Sequence, residues 1–213
     1  MERKIVFLDI DGVLQPLSSQ KRFKYCHGQI EQSPMLEKYK ELQDKFGIDY
    51  SVYLQWNVAA VLYDWDKTAV TLLKLILNLT NAEIVISSDW RFDGFKAMKD
   101  LFTLQGLDKY LIDLTRTEDR CFEGKGGMLA IEEEFCDKMK AQHKEKHGKD
   151  AYLHYRTIEI YDWLNRNPDV KKWVAIDDLD LKGIDKNHFV KTCSRLSRLD
   201  EISAEKAIRI LLP

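Results

Sequence analysis

Three short apolar runs in this chain stop abruptly against oxygen-bearing side chains. Ile5-Val6-Phe7-Leu8 runs into Asp9, Ile84-Val85-Ile86 into Ser87-Ser88, and Val174-Ala175-Ile176 into Asp177-Asp178. Apolar runs this short, bounded by polar residues, read as strands buried on both faces, the kind found in parallel sheets. Amphipathic stretches with helical spacing lie between them. The alternation predicts a doubly wound α/β domain, a parallel sheet of about five strands with helices on both faces. The strands are expected at 4–8, 83–86, 110–114, 172–176 and 188–191. With the first strand central, Asp9, Ser87 and Asp177 would share one sheet edge, in the crevice where strand order reverses.

The helices are predicted from caps and stripes. One starts near Gly94, with Phe95, Met98, Leu101 and Phe102 on one face and Gly106 as its stop. Asp66 is predicted to cap another that carries Ala69, Leu72, Leu73 and Ile76. Ile160, Trp163 and Leu164 mark a helix from about Arg156, with Pro168 beyond its end. Ser203 is expected to cap a last helix with Ala207, Ile208 and Leu211. Two segments exceed a minimal doubly wound domain, so the chain reads as one domain, 1–213, with insertions at 15–65 and 116–155. The first holds a helix signal at Ser33-Pro34, with Leu36, Tyr39, Leu42 and Phe46, stopped at Gly47. The second contains Gly124-Lys125-Gly126-Gly127 and a charged helix with the stripe Met128, Ile131, Phe135, Met139. Both leave from the carboxyl side of a strand and could act as caps; which of them serves as the lid is left open.

With 213 residues, 45% of them hydrophobic, the chain can build one core plus insertions. A formal net charge of -2, with both signs interspersed, announces neither a nucleic-acid nor an acidic-membrane partner. No apolar run is long enough to span a bilayer, and the first residues carry no signal-peptide pattern. Cys26, Cys121, Cys136 and Cys193 are scattered without a C-x-x-C pair. That argues against a disulfide or thiolate-metal framework and leads to the expectation of a cytoplasmic protein.

Asp9-Ile10-Asp11-Gly12-Val13-Leu14 carries the strongest chemical signal. Two carboxylates at a buried strand end repel unless a cation sits between them or one is protonated. Magnesium suits such a place, since it takes one or two carboxylates together with phosphate oxygens and water. Asp9 fits a nucleophile that forms an acyl-phosphate without a separate base. Asp11 fits a general acid that protonates the leaving alcohol and then activates water. Ser87, Ser88 and the turn after them can bind phosphate oxygens. Trp90 reads as packing. Arg91 could reach a substrate phosphate or brace its own loop. Asp177-Asp178 is unfavourable at a buried strand end without a cation; Asp180 and Asp185 are nearby acids of lower rank.

Asp9 to Leu14 resembles the first signature of the haloacid dehalogenase (HAD) superfamily, most of whose members are magnesium-dependent phosphohydrolases acting through an aspartyl-phosphate. The resemblance implies a Rossmann-like (HAD-like) fold, Ser87 as the second signature, and Asp177-Asp178 as the acidic fourth. The third signature is a single cation. Arg156 stands in the usual place, although the superfamily more often has Lys there; Lys182 and Lys125 are alternatives. By the family pattern magnesium would be held by Asp9, the main-chain carbonyl of Asp11, and the Asp177-Asp178 pair. Together, L-D-I-D-G-V-L, I-S-S-x-W-R, R-x-x-E-I-x-x-W-L and A-I-D-D are similar to the phosphatase domain of Swiss army knife RNA-repair proteins. The implied function is a magnesium-dependent phosphatase acting on a phosphorylated small molecule. One alternative is a nucleic-acid end phosphatase, for which Lys21, Arg22, Phe23, Lys24 and Tyr25 are a candidate strand path. Another is a non-catalytic binding protein on the same fold, disfavoured by the retained Asp9, Asp11 and Asp177. Oligomeric state is not readable from the sequence.

Overall fold

The computed structural model describes residues 2–19, 21–26, 35–192 and 198–212. Ser33-Pro34 and Cys193 therefore lie outside the described residues. Strands β1 (Lys4–Leu8), β2 (Glu83–Ile86), β3 (Leu111–Leu114), β4 (Lys172–Asp177) and β5 (Phe189–Lys191) form one sheet in the order β3-β2-β1-β4-β5. Every neighbouring pair is parallel. The first strand is central, as expected. β3 and β5 each begin a residue late because the 3-10 turns Asp108–Tyr110 and Lys186–His188 precede them.

Period-two alternation divides the core. Val6 and Leu8 of β1, Ile84 and Ile86 of β2, and Val174 and Ile176 of β4 face the larger cluster. There they meet α3 (Lys67–Thr80), α4 (Phe95–Thr103) and α7 (Glu201–Leu211) through residues such as Leu73, Ile76, Met98, Phe102, Ala207 and Leu211. Ile5, Phe7, Val85, Trp173 and Ala175 face the other way, onto Ile160 and Trp163 of α6 (Tyr155–Arg166). Phe7 meets the rings of Trp163 and Trp173 edge to face at 5.4 and 5.7 Å. The three inner strands, β1, β2 and β4, are thus covered on both faces, which explains why each reads as an apolar run.

Several local expectations need correction. Asp66 does cap α3, accepting from Ala69 N. Ser203 does not cap α7; Asp200 does, accepting from Ser203 N at 2.8 Å. The cap must lie outside the helix to reach its third N–H, and Ser203 is already inside. Phe95 is exposed, and Ala97 joins Met98, Leu101 and Phe102 on the buried face. Leu36 is likewise exposed, while Met35, Tyr39 and Leu42 bury α1 (Met35–Phe46). In the second insertion, Met128 and Ile131 are buried but lie ahead of α5 (Glu133–His147). Thr117 pairs with the 129–131 segment through backbone hydrogen bonds at 3.1 and 2.9 Å, which holds that segment extended.

The 15–65 segment leaves β1 and returns to α3 through α1 and α2 (Gln55–Tyr63). Its buried residues, among them Met35, Tyr50, Val58 and Val61, join the same core as β1. Segment 116–155 instead packs Ile131, Cys136 and Leu153 against Ile158 of α6 in a small satellite core. No helix among the described residues is long and apolar enough to cross a membrane.

Candidate active site

Sheet register sets the site. Leu8 of β1 aligns with Ile86 of β2 and with Ile176 of β4. The next residue on each strand is therefore Asp9, Ser87 and Asp177. The ladder continues one step past the regular pairing, with Ser87 N on Leu8 O at 2.9 Å and Asp9 N on Ile176 O at 3.0 Å. Three candidate side chains thus stand in one row at the carboxyl edge, all buried.

Arg156 reaches this row from the first turn of α6. His154 caps that helix, its Nδ1 accepting from Arg156 N. Arg156 Nη1 lies 3.0 Å from Asp9 Oδ2 and 2.8 Å from Asp177 Oδ2. Its Nη2 lies 3.8 Å from Asp89 Oδ1. The two alternative cations sit elsewhere. Lys182 is exposed, and its carbonyl accepts from His154 N and Thr157 Oγ1. Lys125 lies over the Phe122 ring. Asp185 caps the turn before β5, and Asp180 is exposed.

Oxygens of Asp9, Asp177 and Asp178 lie within 4.8 Å of one another. Three carboxylates here share one guanidinium. Burial first, and Asp177 second, push Asp9 well above the ordinary carboxylate range, while Arg156 pulls it back. Burial likewise raises Asp177 and Asp178, again opposed by Arg156. Burial also works against the charge of Arg156, but Asp9 and Asp177 more than offset it and hold the guanidinium above its usual value. Asp9 Oδ1 and Ser87 Oγ are buried with no hydrogen-bond partner among the described residues. Buried polar atoms are rarely left so. Three carboxylates drawn this close at a buried strand end fit a hard cation such as magnesium. Gly12 makes room for this arrangement. It holds φ +73°, and a Cβ there would fall on the Asp178 carboxylate.

Asp11 is turned away from that cluster. Trp90 Nε1 donates to its Oδ2 at 2.9 Å, and Gln15 Nε2 to its Oδ1 at 2.8 Å. Sequence reading took Trp90 as packing and did not single out Gln15. Trp90 does pack, 6.0 Å from Trp65, and it donates as well. The signal for Gln15 was its place four residues past Asp11, inside the tight loop where Gly12 N bonds Gln15 O at 2.7 Å.

The two readings of Arg91 separate cleanly. Its side chain is 1% exposed and paired with the equally buried Glu159 at 2.7 Å. It also donates to Ser88 O at 2.8 Å. Arg91 therefore braces the loop after β2. Glu159 Oε1 further accepts from Glu118 N at 3.2 Å, which ties the second insertion to the same brace.

A family model describing the HAD domain in Swiss Army Knife RNA repair proteins matches residues 5–197. No curated protein and no solved structure matches the chain significantly.

Proposed function

This chain belongs to the HAD family found in Swiss Army Knife RNA repair proteins, and on that premise we propose that it is a magnesium-dependent phosphatase that hydrolyses a phosphomonoester through an aspartyl-phosphate on Asp9. The observation that carries this reading is the split between the two Asp9 oxygens. Oδ2 is held by Arg156 at 3.0 Å, and Oδ1 is buried with no cation paired to it among the described residues. A nucleophile needs that combination, one oxygen fixing its aim and the other free to attack.

Ser87, Ser88 and the backbone after them line the phosphoryl position. Arg156 spends Nη1 on two carboxylates; Nη2, 3.8 Å from the exposed Asp89 carboxylate, is the nitrogen that would turn to a phosphoryl oxygen. Asp9, Asp177, Asp178 and, by the family pattern, the carbonyl of Asp11 would hold the metal. When bound, magnesium would add positive charge against the phosphoryl oxygens and the three carboxylates. Asp11 hands a proton to the leaving alcohol and later takes one from water.

Turnover of alkyl and activated aryl phosphates with magnesium tests this reading. Asp9→Asn should abolish turnover of both. Asp11→Asn should cost about 10²–10⁴-fold on the alkyl ester and much less on the aryl ester, whose leaving group departs without a proton. An active Asp9→Asn protein, shown by mass spectrometry to be free of deamidation, would overturn it.

A second reading, a nucleic-acid end phosphatase, draws on one specific feature. Phe23 and Trp56 meet edge to face, each 42% exposed, with Lys21 and Lys24 exposed beside them. Exposed aromatics among cations suit a single strand. Faster turnover of end-phosphorylated oligonucleotides than of mononucleotides would favour that substrate, and the reverse would exclude it.

A further inference from the structure

We propose that Trp90 and Gln15 are positioning residues for Asp11, and that Arg22 sets the Gln15 amide. The inference rests on the acid–base role given to Asp11 above. A carboxylate on a loop just past a strand is free to rotate about its side-chain torsions. A proton-transfer group must instead be held within hydrogen-bond reach of the leaving oxygen.

Asp11 is held from two sides. Trp90 Nε1, on the 3-10 turn Asp89–Asp93 after β2, takes Oδ2 at 2.9 Å. Gln15 Nε2, from the start of the 15–65 segment, takes Oδ1 at 2.8 Å. Donors arriving from two elements orient the carboxylate plane. Packing alone does not require an indole N–H aimed at a carboxylate, so the Trp90 contact is more than core filling.

A glutamine amide has two unlike ends, and the wrong one would set oxygen against oxygen. Arg22 removes that ambiguity. Its Nη1 donates to Gln15 Oε1 at 2.9 Å, so the NH₂ end must face Asp11. Arg22 is anchored in turn by buried Asp64, which lies 3.5 Å from Arg22 Nε. Asp64 Oδ1 also accepts from Lys21 N at 2.7 Å and Arg22 N at 3.2 Å.

The two arms then close on each other. Asp64 holds the Arg22 end, and the adjacent Trp65 packs against Trp90 at the other end. The joint at the end of α2 therefore grips Asp11 from both directions. In this arrangement the first insertion sets the aim of the acid–base group.

The test compares kcat and KM for an alkyl phosphate and an activated aryl phosphate, with magnesium, in two backgrounds. Trp90→Phe keeps the packed ring and drops the donor. Gln15→Met keeps the length and drops the amide. Each should lower kcat on the alkyl ester by about 10-fold or more and spare the aryl ester, with KM nearly constant. In an Asp11→Asn background neither should cost anything further, because positioning acts only through Asp11. Arg22→Met should repeat the pattern at smaller amplitude. If Trp90→Phe fails to fold, Gln15→Met decides alone. Equal losses on both esters, or a full loss in the Asp11→Asn background, would overturn this inference while leaving the phosphatase reading in place. A wild-type protein that turns over neither ester would end both.

Discussion

The two oxygens of Asp9 show what one residue can and cannot announce. D-x-D-G after an apolar strand singled out Asp9 and Asp11 as candidates from local pattern, because the spacing of two carboxylates along a strand end is itself local. Arg156 was one of three candidate cations, since a lone cation has no spacing to betray it; only the fold brings Nη1 between Asp9 and Asp177. Removing it should be costly. Arg156→Met would leave two buried carboxylates facing each other, a loss of about 3–5 kcal/mol, seen as a lower urea midpoint in metal-free buffer. Arg156→Lys retains a charge that one nitrogen can share between both acids. It should recover most of that stability yet raise KM, because nothing replaces Nη2. Gly12→Ala should fail differently. Its φ of +73° costs a side chain about 1–2 kcal/mol, and the new Cβ displaces Asp178. Calorimetry should show weakened magnesium binding, and unchanged affinity would refute the steric account.

At the scale of elements, one glycine of the second insertion, Gly126, has a packing role. Gly126 holds φ +55°, and a Cβ there would strike the Phe92 carbonyl and Gly94 N. This glycine-rich loop is thus seated backbone to backbone on the turn after β2. Gly126→Ala should lift it off, lowering stability by about 1–3 kcal/mol and exposing residues 117–127 to limited proteolysis. Beneath it lies the Arg91–Glu159 pair. Burial pushes Glu159 up to about 7, against the pull of Arg91 and of the Glu118 N–H. A raised folded-state value means that the native protein keeps a proton the unfolded chain has released. The stability from Glu159 is therefore complete below its ordinary value near 4.5 and is lost as pH rises toward 7. Urea midpoints between pH 5 and 7.5 should fall with pH in the wild type. Glu159→Gln, which has no proton to release, should show a flatter profile. Parallel profiles would show that Glu159 does not titrate in this window.

For the molecule as a whole, the sheet edge concentrates buried negative charge that the protein alone does not fully offset. A ligand bound only by the folded state stabilises it by about 2.7 kcal/mol at a hundredfold excess over Kd. Magnesium should therefore raise the melting temperature of the wild type, and chelation should reverse the rise. Asp178→Asn should shrink it while leaving the metal-free fold intact. An equal rise in that variant would place the ion elsewhere. The first insertion shares the main core with β1, whereas the second has its own satellite core. We accordingly expect hydrogen exchange to open residues 117–153 at lower free energy than residues 35–65.

The sequence by itself determined the strands, the central place of β1 and the row of Asp9, Ser87 and Asp177. Burial on both faces writes each inner strand as an apolar run, and parallel register carries their ends to the same edge. Tertiary structure alone decided the partners: Arg156 over Lys182 and Lys125, Arg91 as a brace, and Trp90 with Gln15 around Asp11. Trp90 and Asp11 are 79 residues apart in sequence and Arg91 and Glu159 are 68 apart. Contacts at such separations leave no period or spacing in a chain, because they exist only once the sheet has brought the loops together.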